Sequence, residues 1–206
     1  MTLQSAIRPA LINGLFVAAL TLAPVPLMAQ TAMPDPASES ALTSDEATDR
    51  LDKLYETLAT IDDESAAAPV VEQIRALWAR SGSASMDLLL NRARSAMAEE
   101  DYERATAHLR ALTRLAPDFA EGWNAAATLH FLQQDYWRAV EDIETTLKLE
   151  PRHFSALTGL ALILEQVDRP AAALEAWREV NRLYPGLENA REAIDRLAPE
   201  VDGKDI

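Results

Sequence analysis

Residues Asp135–Pro151 read DYWRAVEDIETTLKLEP, and this stretch decides the fold. Thirty-four residues upstream, Asp101–Pro117 reads DYERATAHLRALTRLAP; 34 residues downstream, Arg169–Pro185 reads RPAAALEAWREVNRLYP. Pro117, Pro151 and Pro185 keep one beat, and so do Ala105, Ala139 and Ala173. The Asp-Tyr pair occurs twice in register. Its third counterpart, Asp168, sits one place off, before Arg169-Pro170. A constant period with helical patterning describes helical hairpins that stack, because one hairpin cannot bury its apolar face alone. Proline ends the second helix of each unit, since it lacks an N–H and pushes its predecessor out of the α region. A generic helical bundle needs no constant period.

Frames 86–119, 120–153 and 154–187 set the places. Place 4 holds Leu89, Trp123 and Leu157; places 7 and 8 hold Arg92-Ala93, Ala126-Ala127 and Leu160-Ala161. Place 11 holds Ala96, His130 and Leu164, and place 24 holds Leu109, Ile143 and Trp177. The alanines at place 20 let two helices cross closely, and the bulky residues at places 4 and 24 fill the gaps between neighbours. This pattern resembles the tetratricopeptide repeat. It departs from it at Arg92, at Leu164 and in having no glycine at place 8. The resemblance implies an all-α fold: an α-solenoid of antiparallel helix pairs with a concave binding face and a C-terminal capping helix.

The N-terminus reads as an export segment. Arg8 is the only charge in the first 29 residues, Ala10–Ala23 is almost all apolar, and Pro24 and Pro26 end the run. Met28-Ala29-Gln30 offers a cut after Ala29, with Leu27 larger than ideal. This is the layout of a secretory signal over 1–29, and the run falls short of the about 20 residues a membrane span needs. An uncleaved N-terminal membrane anchor is the alternative. The chain has no cysteine, so neither a lipidated cysteine nor a disulfide is available. The expected location is the periplasm of a bacterial envelope.

The net charge of −14 becomes −15 once Arg8 is removed, and it is uneven. Residues 35–64 carry ten acids against Arg50 and Lys53. Such acidity argues against nucleic acid and against an anionic membrane surface, and it favours solubility. Residues 30–44 are polar, Pro- and Ser-bearing and without periodicity, which predicts a disordered tether. Ser44 is a candidate N-cap. Leu51, Leu54, Tyr55, Leu58 and Ile61 form one helix face, and Val70, Val71, Ile74, Leu77 and Trp78 form a second, with Pro69 near its start. This hairpin, 45–85, ends at Ser81-Gly82-Ser83, where glycine takes a left-handed cap. It falls off the strict frame and reads as a degenerate N-terminal repeat. Residues 188–198 read as the capping helix, with Ala190, Ile194 and Leu197 on one face, and 199–206 as a frayed tail. No strand-like alternation is found.

No constellation points to chemistry, so no catalytic residue, metal ligand or cofactor is expected, and no small-molecule substrate. His108, His130 and His153 have no i, i+4 partner of ligand type. No glycine-rich phosphate loop or nucleophile elbow is present. Asp62-Asp63-Glu64 lacks alternating calcium ligands and reads as a solvated turn. Trp78, Trp123 and Trp177 read as core, and Trp137 as partly exposed.

The resemblance also implies which places face the groove. From the first unit these are Asp87, Leu90, Asn91, Arg94 and Met97. From the second they are Glu121, Asn124, Ala125, Thr128, Phe131 and Leu132, and from the third Ser155, Thr158, Gly159, Leu162, Glu165 and Gln166. The candidate partner-binding residues are Asn91, Arg94, Glu121, Asn124, Thr128, Phe131, Thr158 and Glu165. Asn offers donor and acceptor to a peptide backbone, and Arg94 offers a fork for a carboxylate. Tetratricopeptide domains that clamp a chaperone's terminal carboxylate use Lys, Asn and Arg. Here the fifth places are Leu90, Asn124 and Thr158, without lysine, so that clamp is not expected. Ile74–Trp78, Ser81-Gly82-Ser83, Ala120–Asn124 and Glu150–Phe154 are similar to a group of small exported bacterial tetratricopeptide proteins. The expected function is a non-enzymatic scaffold that holds a protein or peptide, or a partner helix. A self-assembling homo-oligomer and an accessory subunit of an envelope enzyme are the alternatives. Mass spectrometry of the mature chain is expected to find Gln30 or a near neighbour at its N-terminus; intact Met1 in the membrane pellet contradicts export with cleavage.

Overall fold

The computed structural model describes residues 44–205. The expected signal 1–29, its cut after Ala29, the tether short of Ser44, and Ile206 lie outside the described residues. Among the described residues there are nine α-helices and no strand. They are α1 (Ser44–Leu58), α2 (Glu64–Trp78), α3 (Ala84–Ala98), α4 (Tyr102–Leu115), α5 (Ala120–Leu132), α6 (Tyr136–Leu149), α7 (Phe154–Gln166), α8 (Pro170–Leu183) and α9 (Glu188–Val201). No helix among the described residues is long and apolar enough to cross a membrane.

Local chemistry sets the repeat boundaries. Each pair α3–α4, α5–α6 and α7–α8 turns through one residue in the left-handed region: Glu100 (φ 58°), Gln134 (φ 61°) and Asp168 (φ 56°), again 34 residues apart. The next residue caps the second helix. Asp101 accepts from the Arg104 N–H at 3.0 Å, and Asp135 from the Arg138 N–H at 3.3 Å. In the third unit Arg169 makes no side-chain cap, and Pro170 follows at the helix start, where no N–H is required. This accounts for the displaced aspartate: Asp168 takes the strained turn position, which Asp tolerates well. Ala105, Ala139 and Ala173 are fully buried at the helix crossings, and Leu109, Ile143 and Trp177 are buried beside them.

Trp123 departs from expectation. It does not plug the joint. Its ring is half-buried and borders an open cleft with His130 and Asp142. Its indole N–H donates to the Pro117 carbonyl at 2.9 Å, tying down the α4–α5 turn. The close approach is made by the neighbouring Gly122, where a Cβ would stand 3.2 Å from Leu112 Cγ. Leu90 and Ala125, expected on the groove surface, are also buried in the α3–α4–α5 core.

The larger departure is the N-terminal hairpin. The buried residues of α3 pack with α4 and α5, whereas those of α1 and α2 belong to one core with α7, α8 and α9. The hairpin therefore folds across the array onto its C-terminal units and is not stacked as a preceding repeat. Its anchors are specific. The Tyr55 hydroxyl donates to the Arg152 carbonyl at 2.7 Å, and the Arg152 guanidinium lies 4.3 Å from the Tyr55 ring centre while pairing with Asp52 at 2.8 Å. Burial holds the Tyr55 phenol protonated, well above its ordinary range. The Asp62-Asp63-Glu64 turn is a docking surface as well as a turn. Asp63 caps α2 through the Ala66 N–H at 2.8 Å, and Glu64 accepts the Glu188 N–H at 3.0 Å, satisfying the first turn of α9. Arg191 donates to the Asp62 carbonyl at 3.2 Å. Gly186 permits this approach: a Cβ there would stand 3.0 Å from the Ile61 carbonyl oxygen.

Two boundaries also move. The Asp63 cap starts α2 at Glu64, which leaves Pro69 inside the helix. At the other end α9 continues through Pro199 to Val201 and into a 3-10 turn, held by Arg178 and Asp202 at 2.6 Å.

Trp177 is 2% exposed. Trp177→Ala is expected to cost about 3–5 kcal/mol, the range for a large residue lost from a core. Trp123→Ala is expected to shift the melting temperature much less. Equal shifts in thermal unfolding contradict this assignment of the core.

Candidate partner-binding groove

The groove is built from the first helices of the three units, α3, α5 and α7, with α2 at one end and α9 at the other. It consists of three chambers that share walls. The polar chamber, about 400 Å³, lies between Glu72, Arg75 and Trp78 of α2, Arg94 of α3, Glu121 and Asn124 of α5, and Ser155 of α7. The central chamber, about 200 Å³, is mostly apolar: Phe131, Ile143 and Leu162 surround it, with Asn124, Thr128 and Thr158 at its rim. The third, about 260 Å³, runs from Thr158 and Leu162 to Glu165, Trp177 and Arg196. Asn124 and Ser155 border the first two chambers; Thr158 and Leu162 border the last two.

Of the eight candidate residues, the structure brings Asn124, Thr128, Phe131 and Thr158 together around the central chamber. The Thr128 and Thr158 hydroxyls donate to their own helix, to the Asn124 and Phe154 carbonyls at 2.9 and 2.8 Å. Their oxygens therefore face the groove as acceptors. Phe131 leans on Tyr136 with ring centres 5.8 Å apart. Asn91 is exposed on α3 and lines none of the three chambers.

Glu121 and Arg94 do something else. Glu121 is only 6% exposed, so it is a buried structural carboxylate and not a groove-surface group. It pairs with Arg94, accepts from Asn124 Nδ2 at 3.2 Å, and accepts from His153 at 2.9 Å. His153 is fully buried. Its Nδ1 accepts the Ala156 N–H at 3.2 Å as the cap of α7, so its proton lies on Nε2 and is donated to Glu121. The imidazole also stacks on Trp78, centres 3.8 Å apart and planes 12° from parallel. One carboxylate thus ties α3, α5, α7 and, through the ring stack, α2. One nitrogen of the fork expected of Arg94, Nη2, is already given to Glu121. Glu165 is committed in the same way, accepting from Trp177 Nε1 and from Arg196, both at 2.7 Å.

Sequence reasoning missed His153 and the α2 wall. The position equivalent to His153 holds Phe119 one repeat earlier and Leu187 one repeat later. A lone histidine among apolar counterparts was the available signal. A second pair, His130 Nδ1 and Asp142 Oδ2 at 2.8 Å, lies in the cleft beside Trp123; burial pushes the Asp142 carboxyl up and His130 opposes it.

This arrangement defines a helical solenoid with an occupiable concave face. The chain is 34% identical over 194 residues to a TPR repeat-containing protein of Rhizobium etli, covering 94% of this chain and 95% of that one. It belongs to the tetratricopeptide repeat proteins. No protein-family model matches it. Among solved structures it is similar to the Arabidopsis OM64 TPR domain, with a TM-score of 0.54 at 15% identity over 57% of this chain and 97% of that one. It is also similar to the TPR2B domain of yeast Sti1, solved as a pHsp70 complex, with a TM-score of 0.51 at 19% identity over 59% and 99%.

Glu121→Ala is expected to cost about 1.5–3 kcal/mol, the range for bonds to a charged group. Arg94 is 41% exposed and can rehydrate, which keeps the loss below that of a sealed ion pair. Glu121→Gln keeps an acceptor for His153 and is expected to lose less. Urea unfolding that ranks Gln below Ala contradicts the role given to His153.

Proposed function

We propose that this chain is a non-enzymatic scaffold that holds a segment of a partner protein in its concave groove, on the exported side of a bacterial envelope. Tetratricopeptide repeat proteins generally mediate protein–protein interactions, and their relatives are typically interaction modules without chemistry of their own. The observation that carries the reading here is the central chamber. It presents Phe131 and Leu162, the latter 41% exposed, beside threonine and asparagine acceptors, in a groove where Glu121 and Glu165 are each paired with an arginine. Apolar surface of this kind, rimmed by hydrogen-bonding groups, suits a peptide or helix anchored by an apolar side chain. Export rests on Arg8, the apolar run Ala10–Ala23 and Ala29.

A photo-crosslinking residue at Leu162 in living cells is expected to give one discrete adduct with an envelope protein. The same residue at Leu115, exposed on α4 outside the groove, is expected to give none. Leu162→Glu places a charge against the apolar chamber. It is expected to weaken the complex by roughly tenfold to a hundredfold, about 1.4–2.8 kcal/mol, with helicity unchanged. Full retention of the partner by Leu162→Glu contradicts binding in the groove.

A further inference from the structure

We propose that the N-terminal hairpin is a wall of the binding site, and that the polar chamber it closes takes an uncharged polar side chain of the partner segment, next to the apolar anchor. This rests on the groove reading above and makes it specific.

The chamber exists only because α2 lies where it does. Glu72, Arg75, Ala76 and Trp78 supply one wall; Arg94, Glu121, Asn124 and Ser155 supply the rest. Trp78 is fixed by its stack on His153, and the hairpin is fixed by the Tyr55, Glu64 and Arg191 contacts. A ligand lying in the central chamber therefore meets α2 as it runs toward α3.

The chemistry of the chamber selects the occupant. Its charged groups are paired with one another, Arg94 with Glu121 and Arg75 with Glu72 at 3.0 Å. An entering carboxylate would lie against the buried Glu121 carboxylate, to which Arg94 already gives one guanidinium nitrogen. An entering ammonium would have to displace Arg94 from a carboxylate that already accepts from Asn124 and His153. Beyond these pairs the chamber's lining offers the Ser155 hydroxyl, which makes no bond, Asn124 Oδ1, since Asn124 bonds only through Nδ2, and the Trp78 indole N–H, which is buried without a hydrogen-bond partner. A hydroxyl and an amide oxygen complement an amide or hydroxyl side chain, which brings both donor and acceptor. Because Asn124 and Ser155 also border the central chamber, the polar and apolar side chains come from neighbouring positions of one segment.

The test is selection from a display library of random linear peptides on the full chain, repeated on two variants. Ala76→Trp fills the polar chamber from an exposed position of α2 and leaves the hairpin docked. Gly186→Val drives a side chain into the Ile61 and Asp63 backbone and lifts the hairpin. The unaltered chain is expected to select an apolar residue beside Asn, Gln, Ser or Thr. Both variants are expected to keep the apolar preference, lose the polar one, and bind the selected peptides roughly tenfold more weakly, the scale of one lost polar contact. The same consensus and affinity in all three proteins overturns the hairpin's role and leaves the groove standing. A consensus with a charged residue at the polar position, a terminal carboxylate included, overturns the assignment of the chamber. No enrichment on any of the three overturns this inference together with the groove reading.

Discussion

One buried carboxylate holds this molecule in register. Glu121 sits on α5, pairs with Arg94 on α3, and accepts from His153 at the start of α7. His153 in turn carries Trp78 of α2 on its ring face. Four helices separated widely in sequence meet at this point. A charge so enclosed is tolerable only when its oxygens are satisfied, and here each neighbour brings a donor. The arrangement specifies more than it stabilises. An apolar residue in place of Glu121 could fill the space, but it would not fix where Arg94, Asn124 and His153 point.

This constraint shapes the groove. Were Arg94 free, the concave face would read as a carboxylate trap. Its commitment to Glu121 turns the same surface into a neutral trough, polar where α2 closes it and apolar between α5 and α7. At the opposite end Glu165 is bonded to Trp177 and Arg196, and Glu192 adds an exposed carboxylate to the same chamber.

The repeat geometry was legible in the sequence because it rests on local rules. The alanines at 105, 139 and 173, the aspartate caps and the prolines act within one or two turns of where they stand, so a 34-residue beat displays them. The displaced Asp168 was legible as an irregularity, and the backbone explains it. The hairpin's position was not legible. Tyr55 and Trp78 look like ordinary core residues at helical spacing, and nothing near them names partners 97 and 75 residues away in Arg152 and His153. Trp123 misled for a related reason: its place in the pattern demands bulk, but Gly122 draws α5 so close to Leu112 that the indole is left at the edge. Among the site residues, Asn124, Thr128, Phe131 and Thr158 could be read from their places. The roles of Arg94, Glu121 and Glu165 depend on contacts between helices that no spacing rule contains.

The position of the hairpin is the claim on which the composite groove depends, and one distance decides it. The chain has no cysteine, so spin labels on cysteines introduced at Glu56 of α1 and Asp195 of α9, both exposed, are unambiguous. Pulsed dipolar spectroscopy on the doubly labelled chain is predicted to give one short, narrow distance, because the Asp62-Asp63-Glu64 turn that follows α1 is bonded to Glu188 and Arg191 of α9. A long distance that places the hairpin beside α3, as in a simple stacked array, contradicts the account.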